Sequence, residues 1–585
     1  MLKDIILSSL LQLQLRHEYL AIAFVLILAF ILNIVGITWG LPHYLDWAID
    51  SVAPFRVLKA AYYRFSNGWY EIYPPLHFVI LVAFNTPFML YLILSGGIKA
   101  PSQFFPFGFV DPLSALTQVI LISRVVSVIM GVGIVFLVFL VVRELFDRRS
   151  ALFSALIVTL YYHLIYYAHN ANMDVPYLFW TLLAIYSFLR ILKRGGWRDY
   201  VLFAIFTVLA IATKDQAAGL FFFTPLPILW ARFTESDNPS PRPLNVVKVI
   251  LDRRHILALI VAVVTFILAQ NLIFNFSGFI EHIKYAISSG VQDQSVYRYP
   301  STLVGHFQLL WETMVQLAAG LTPALFGLCL AGCGYCAFKF PKYTLPLLLF
   351  AVSYYVTFII SLRLVAPRYA LPIGIIMTFF GGKVLAELWH HAPWKSLTRA
   401  AICLAFAYAA IFPLQLDFLF IKESRYAAEQ WMQEHFEDEA IVETFDGTNA
   451  HNYNPRFPAW VKVRTSKLEA GTRWEPQPRR ADRVRLPNLY TGREAPDYIV
   501  LSSFWYERFL DARAPDSGQR RVLKELCQGT LGYTLVATFK TPTLVAMGDL
   551  QINPRIVIFE RAKKRSVNAA SWRDLEASDS ADGCY

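Results

Sequence analysis

The sequence predicts an α-helical polytopic membrane protein with about eleven transmembrane helices, a long first outer loop and a small C-terminal α/β domain. Hydrophobic residues make up 56% of the 585 residues and charged residues only 16%, and the mean hydropathy is +0.45. Apolar runs of about twenty residues recur up to Leu416, and each is long enough to cross a hydrocarbon core about 30 Å thick. After Leu416 the charge density becomes ordinary and the apolar runs become short and alternating, which is typical of an α/β domain.

Eleven of the apolar runs are predicted to span the membrane. They lie near residues 19–37, 119–142, 151–168, 175–191, 199–213, 217–232, 256–275, 321–338, 344–361, 369–388 and 397–416. A further run at 78–94 is interpreted as a re-entrant or interfacial segment. If it were a span, the basic loops at 143–149, 192–194 and 230–255 would face the non-cytoplasmic side, against the positive-inside rule.

The predicted spans and the change in composition after Leu416 divide the chain into three predicted parts. A membrane module occupies residues 1–420, and its long first outer loop covers 38–77. An extracytoplasmic α/β domain follows at 421–565, and a tail at 566–585 is expected to be disordered because it is polar and lacks apolar runs.

The charge and the absent motifs exclude several classes of function. The net charge of +11 is attributed to cytoplasmic Lys/Arg loops, so no nucleic-acid partner is expected. The chain contains no phosphate-binding GxxxxGKS/T loop and no HExxH or GxSxG motif, which leaves ATP-driven and zincin chemistry without support. Cys329, Cys333 and Cys336 share one face of a predicted span, where small core residues are expected rather than a metal cluster.

Two outer loops carry the acidic candidates for a site. Loop 38–77 holds Asp46 and Asp50 four residues apart and ends in Tyr73-Pro74-Pro75-Leu76-His77. Asp174 follows a later span in a similar setting, although an acid there also serves as a helix N-cap. Either loop carboxylate alone is equally well explained as a solvated surface residue. The recurrence of acids at comparable places favours a functional interpretation.

Cations at span ends complete the set of candidates. Lys214-Asp215 lies between two apolar runs, where an ionisable group indicates function or else an internal ion pair. An arginine on the outer side is unfavoured by topology and indicates an anionic partner such as a phosphate, which arginine binds through two N–H groups. The predicted topology brings ten polar candidates to the non-cytoplasmic face: Asp46, Asp50, His77, Asp174, Lys214, Asp215, Tyr297, Arg298, Arg363 and Arg368.

The order of these elements resembles the GT-C superfamily of polytopic glycosyltransferases, in the branch of protein O-mannosyltransferases and lipid A aminoarabinose transferases. The resemblance covers about the first 420 residues. Asp50-Ser51 takes the place of the family's Asp-Glu pair, so the Glu is missing, which leaves open whether Asp46 shares or replaces the role of Asp50. The remaining family elements resemble Tyr73-Pro74-Pro75-Leu76, Arg124, Asp174, Thr213-Lys214 and Arg368-Tyr369-Ala-Leu-Pro372.

The resemblance implies an integral enzyme of the plasma or inner membrane. It would move a sugar from a polyprenyl-phosphate donor to a hydroxyl of a protein, lipid or glycan on the non-cytoplasmic face, with inversion. Because such a donor already has a good leaving group, the reaction needs a base for the acceptor and cations for the departing phosphate. The implied catalytic residues are Asp50 and Asp46, and the implied substrate-binding residues are His77, Arg124, Asp174, Lys214, Tyr297, Arg298, Arg368 and Tyr369.

The sequence leaves some alternatives open. No cofactor is required by this chemistry, and a divalent cation stays an option; membrane lipids are expected partners. A transporter or lipid-carrier flippase would use the same charges as a substrate path, but it predicts polar residues spread through the spans near the midplane. A structural or assembly subunit would instead use the C-terminal domain for protein contacts.

Overall fold

The computed structural model describes residues 19–48, 50–66, 68–234, 248–288, 298–445, 450–467, 475–476, 495–510 and 518–562. Helices form the first part of the chain, and a mixed β-sheet with flanking helices forms the last part. This arrangement confirms the predicted fold class. The predicted tail at 566–585 lies outside the described residues.

The first part of the chain, which we name the membrane module, is a bundle of helices. Their bounds are α1 (Tyr19–Ile34), α2 (Phe55–Tyr62), α3 (Leu76–Leu94), α4 (Pro112–Leu145), α5 (Arg148–Thr159), α6 (Tyr162–Ala168), α7 (Asp174–Arg194), α8 (Trp197–Thr213), α9 (Ala218–Phe221), α10 (Pro225–Thr234), α11 (Arg253–Ala269), α12 (Leu272–Ser288), α13 (Leu303–Leu321), α14 (Pro323–Lys339), α15 (Pro341–Tyr354), α16 (Ile360–Leu362), α17 (Pro367–His391) and α18 (Lys395–Lys422). A short 3₁₀ turn precedes α9 and a π-helical turn precedes α16.

Several of these helices are long and apolar enough to cross a membrane, which makes the protein an integral membrane protein. In the described part of the chain there are seven, or up to ten if each bent pair counts as one span. The bent pairs are α5 with α6, α11 with α12 and α13 with α14, whose axes differ by 62°, 80° and 117°. The first predicted span corresponds to α1, which is apolar but shorter than the others in its described part.

The segment interpreted as re-entrant or interfacial is one unbroken helix, α3, so it does not form a re-entrant hairpin. By length and composition α3 is one of the seven helices that could cross a membrane. The Asn85 amide near its middle lies 3.4 Å from the Ser123 hydroxyl of α4. Asn33, at the end of α1, lies instead beside Gly131 of α4. At a rise of 1.5 Å per residue, Gly131 is about 12 Å farther along α4 than Ser123. The middle of α3 therefore lies beyond the end of α1, and an interfacial position for α3 stays a prediction.

Helix α13 was not among the predicted spans, which place a span only at 321–338. The prediction missed it because Glu312 and Gln316 interrupt the apolar run on its inward side. Its bend against α14 falls at Thr322, where φ is 67°. Gly320 permits the close approach there, because a Cβ at this position would lie 2.4 Å from the Tyr161 ring.

The C-terminal domain is built on a six-stranded sheet with the order β3-β2-β1-β4-β6-β5. Strand β1 is parallel to β2 and β4, and the other pairs are antiparallel. Strands β1 and β4 are buried along their whole length, and β4 is a nearly continuous apolar run. Strand β1 also carries Glu443, which is buried and ion-paired with Arg464 of β2. The elements are α19 (Ser424–His435), β1 (Ile441–Phe445), α20 (Ala450–Tyr453), β2 (Lys462–Lys467), β3 (Glu475–Pro476), β4 (Tyr498–Ser502), α21 (Ser503–Leu510), α22 (Gly518–Cys527), β5 (Tyr533–Phe539) and β6 (Ile556–Arg561).

Candidate functional site

The two carboxylates of the first outer loop have different surroundings, and Asp46 is the buried one. Its Oδ1 accepts hydrogen bonds from Arg124 Nη2 at 2.5 Å and from the Ala48 backbone N–H at 3.0 Å. The fully buried Arg124 also donates to the carbonyl oxygens of Ile37 at 2.5 Å and Trp39 at 2.9 Å. This ion pair ties the loop to the side of α4.

Asp50 is the accessible carboxylate of the same loop. Its side chain is 33% exposed and forms an ion pair with Arg368, the second residue of α17. The Arg368 guanidinium lies 5.0 Å from the centre of the Tyr369 ring, and its Nη2 donates to the Tyr369 hydroxyl at 3.2 Å. A ligand in solvent can reach the carboxylate of Asp50, and Arg368 holds that carboxylate in place.

A second carboxylate–cation pair lies deeper in the membrane module. Lys214 Nζ donates to Asp174 Oδ1 at 2.7 Å, and both side chains are buried. The ammonium also lies 5.6 Å from the Tyr73 ring and 5.8 Å from the Tyr177 ring, which is within cation–π range. Burial disfavours the charged form of Lys214, but Asp174 and three nearby tyrosines hold its pKa above the ordinary value of a lysine.

The first outer loop connects the two pairs. The backbone N–H of Val52 donates to the Ala171 carbonyl at 2.8 Å, which fastens the loop to the turn before Asp174. Tyr73, from the other end of the loop, packs on Lys214. Burial raises the pKa of Tyr73, so its hydroxyl keeps its proton and is a hydrogen-bond donor.

A further contact near the site was missed by sequence reasoning. His282 of α12 lies with its Nε2 3.1 Å from Asp215 Oδ2 and its Nδ1 2.8 Å from the Glu71 carbonyl. Asn271, directly before this helix, and Asn275, within it, donate to loop carbonyls at 2.6 Å each. Helix α12 therefore holds the second half of the loop, and the sequence signal was a group of polar residues in an otherwise apolar run.

The remaining predicted residues are less informative about a ligand. His77 is fully buried, and neither ring nitrogen has a hydrogen-bond partner within the described residues. Tyr297 lies outside the described residues. Arg298 stands next to Tyr299, whose N–H donates to the Arg363 carbonyl at 2.9 Å, so Arg298 lies near the short segment that leads into α17. The substrate-binding roles of these residues stay predictions.

No ligand set for a divalent cation is evident in the described part of the chain. Among those residues, no group of three or more His, Cys, Asp and Glu side chains is arranged to hold a metal ion.

The C-terminal domain rests on the same loop, which the sequence did not predict. The Asn452 amide donates to the carbonyl oxygens of Asp46 and Ala48. The Arg425 guanidinium lies 4.1 Å from the centre of a Trp47 ring. Arg456 donates from Nη1 to the Pro42 carbonyl at 3.1 Å. The domain thus covers the segment that carries the buried carboxylate.

The helices carry the acidic and cationic candidates at one end and the basic loops at the other. Asp174 begins α7 and Arg368 is near the start of α17, both at the end of the bundle beside Asp50. The same two helices end at Arg194 and His391, and α4 ends near Arg143. The predicted clustering of the polar candidates at one end agrees with these positions.

One family model matches part of the membrane module. Residues 115–241, which include Arg124, Asp174, Lys214 and Asp215, match the family model of the dolichyl-phosphate-mannose-protein mannosyltransferases. The predicted GT-C resemblance is confirmed. No curated protein sequence matches the chain.

The chain is also similar, at low identity, to solved structures of three kinds of protein. The archaeal oligosaccharyltransferase AglB from Archaeoglobus fulgidus, in complex with an inhibitory peptide and a dolichol-phosphate, has a TM-score of 0.41 and 15% identity over 76% of this chain and 64% of its own. The chain thus spans 64% of the length of AglB. ArnT from Cupriavidus metallidurans, bound to undecaprenyl phosphate, has a TM-score of 0.45 and 12% identity over 92% of this chain and 97% of its own. The S. cerevisiae protein O-mannosyltransferase Pmt1-Pmt2 complex, bound to the sugar donor, has a TM-score of 0.33 and 16% identity over 45% of this chain and 34% of its own.

Proposed function

We propose that the protein is a membrane glycosyltransferase that moves a sugar from a polyprenyl-phosphate donor to an acceptor hydroxyl on the non-cytoplasmic face, with inversion of the anomeric centre. The observation that carries the proposal is the accessible Asp50 carboxylate, held by Arg368 on a loop that also contacts the Asp174–Lys214 pair. The family matched at 115–241 is named for a dolichyl-phosphate-linked sugar, which supports this class of donor.

Asp50 is the proposed general base. The acceptor oxygen attacks the anomeric carbon, the acceptor proton passes to the Asp50 carboxylate, and the bond between that carbon and the phosphate oxygen breaks. The polyprenyl phosphate leaves with the bonding electrons, so no general acid is needed. A carboxylate is a weak base towards an alcohol, so the fixed position that Arg368 gives Asp50 supplies much of the effect.

Asp46 and Arg124 are assigned a structural role in this proposal. Both side chains are buried, and Arg124 is already bound to Asp46 and to two backbone carbonyls. A base must reach the proton that it takes, and Asp46 lies beneath the loop and the C-terminal domain. The burial of Asp46 supports Asp50 as the base in this proposal.

The phosphate of the donor is assigned to the cations near Asp50. Arg368 is the first candidate because 17% of its side chain is exposed and its planar group suits a phosphate. Arg298 and Lys214 are the further candidates, although Asp174 offsets the charge of Lys214. Tyr369 orients Arg368 through its hydroxyl. These groups favour the charge that builds up on the leaving phosphate.

The test is sugar release by the purified protein from a panel of polyprenyl-phosphate sugars, with the product anomer read by NMR. We expect one donor to be consumed and the product to have the inverted configuration. Arg368→Gln should raise the KM for the donor, while the matched control Arg143→Gln, an exposed arginine at the other end of the bundle, should behave as wild type.

Two results would contradict the proposal. One is a protein that consumes no donor of the panel yet moves an intact lipid-linked sugar across sealed vesicles, which would favour the flippase alternative. The other is an Arg368→Gln variant with an unchanged KM for the donor, which would place the phosphate elsewhere.

A further inference from the structure

The end of the bundle opposite Asp50 contains a concave, positively charged surface. An open cavity of about 380 Å³ lies there between the start of α5 and the last turns of α17. Arg148 and Arg149 line one side of it, and His390 and His391 line the other. None of these side chains belongs to the candidate active site.

The carboxylates in the cavity are already bound to a lysine. Lys383 Nζ lies 3.1 Å from Asp147 Oδ2 and 3.0 Å from Glu387 Oε1. Asp147 also accepts hydrogen bonds from the N–H and the hydroxyl of Ser150 at 2.9 and 2.8 Å. Partial burial acts to raise the pKa of Asp147, but Ser150 and Lys383 hold it below its ordinary value. The carboxylates are therefore engaged with their neighbours.

The remaining charge of the cavity is positive. Three permanent cations, Arg148, Arg149 and Lys383, face two carboxylates, Asp147 and Glu387, which leaves one net positive charge before any histidine is protonated. A basic span end by itself follows from the positive-inside rule. That rule explains the number of cations but not their arrangement around a cavity, which is the feature of a binding site.

The surroundings of the cavity suit a lipid headgroup. Trp394 and Leu397, close in the chain to His391, are 72% and 63% exposed. An exposed tryptophan beside cations at the end of a span is typical of the membrane–water interface. A phosphodiester in the cavity would place its acyl chains along the apolar surfaces of the spans.

We propose that this cavity is a second anion site, which binds a phosphate-bearing group: the headgroup of an anionic phospholipid or a free phosphate. Arginine is well suited to the role because its guanidinium offers two parallel N–H donors to a phosphate. The site is independent of the proposed transfer reaction.

The test is a titration of the purified full-length protein, in neutral detergent, with phosphatidylglycerol and with phosphatidylcholine. We expect saturable binding of phosphatidylglycerol and much weaker binding of phosphatidylcholine. Since a cation near a headgroup contributes about fivefold in affinity, Arg149→Gln should weaken phosphatidylglycerol binding by about that factor. Arg148→Gln/Arg149→Gln should weaken it by about 25-fold.

Arg143→Gln is the matched control, because Arg143 is an exposed arginine at the same end of the bundle that does not line the cavity. Its affinity for phosphatidylglycerol should equal that of the wild type. Equal losses in Arg143→Gln and Arg149→Gln, or equal binding of the two lipids, would overturn the proposal. Inorganic phosphate distinguishes the sources: displacement of the lipid by millimolar phosphate identifies a free-phosphate site, and its failure identifies a headgroup site.

Discussion

Carboxylates pair with cations at both ends of the membrane module, but the two ends differ in their access to water. Beside the candidate site, Asp46–Arg124 and Asp174–Lys214 are buried. At the other end, 44% of the Asp147 side chain and 54% of the Arg194 side chain are exposed. Breaking a buried pair destabilises the fold because either partner alone would be an uncompensated buried charge. An exposed pair contributes little to stability.

Burial also distinguishes the acids of the candidate site from one another. Of the three acids Asp46, Asp50 and Asp174, the first and last are committed to buried partners, and Asp50 is partly exposed. The buried pairs fix the loop, and the partly exposed Asp50–Arg368 pair is the one that the proposal brings into contact with substrate.

The largest effect is expected from Asp50→Asn. Asparagine has nearly the same shape but does not accept a proton at neutral pH, so turnover should fall by about 10²–10⁴-fold with little change in thermal stability. Asp46→Asn should show the opposite pattern, with reduced stability and near-normal turnover per folded molecule. The donor-consumption assay and thermal unfolding measure both. An active Asp50→Asn enzyme together with an inactive but stable Asp46→Asn enzyme would identify Asp46, four residues earlier, as the base.

Arg124→Met should destabilise the protein by about 3–5 kcal/mol, because it leaves the buried Asp46 carboxylate without its partner. The double variant Arg124→Met/Asp46→Leu removes both charges and should recover most of that loss. Unfolding in mixed micelles measures the free energies of both variants. If the double variant is no more stable than the single one, the pair does not act as a unit.

Asn452→Ala should loosen the contact between the C-terminal domain and the first outer loop. It removes two hydrogen bonds to loop carbonyls, and leaving those groups buried costs about 1–3 kcal/mol. Limited proteolysis should then cleave between the two parts faster than in wild type. Gln430→Ala, on the exposed face of α19 in the same domain, serves as control and should leave the rate unchanged.

The smallest effect is expected at the other end, from Asp147→Ala. Asp147 caps α5, and losing a cap costs about 1 kcal/mol, while its exposed pair with Lys383 adds little. Because the folded pKa of Asp147 is lowered, its contribution is present above the ordinary aspartate pKa and is lost as the pH falls through the lowered value. The stability difference between variant and wild type, measured by thermal unfolding, should therefore be full at pH 7 and shrink below about pH 4. A difference that grows on acidification would contradict this assignment.

The sequence predicted those features that depend on local pattern. Long apolar runs identify spans, and an isolated cation such as Lys214 or Arg368 in a run is visible without any structure. The clustering of these groups at one end follows from counting spans. Helix α13 was missed because polar residues interrupt its apolar run. The re-entrant interpretation of 78–94, which the positive-inside rule favoured, was wrong because α3 is continuous.

Pairings across the chain were beyond the sequence. Asp46 meets Arg124 at a separation of 78 residues, and Asn452 meets the Asp46 backbone at a separation of 406. No periodicity or motif records which groups become neighbours when helices pack. For the same reason the sequence ranked Asp46 beside Asp50, although Asp46 is buried and Asp50 is partly exposed. It also did not identify Asp215 as the partner of His282.

The contacts between the C-terminal domain and the first outer loop limit the exchange of this domain between related proteins. Asn452 binds backbone carbonyls of the loop, while Arg425 stacks on the side chain of Trp47. The first contact tolerates sequence change in the loop, but the second requires a matching aromatic ring. A chimera that imports a foreign C-terminal domain should therefore assemble well only when the loop segment with Trp47 is transplanted along with it.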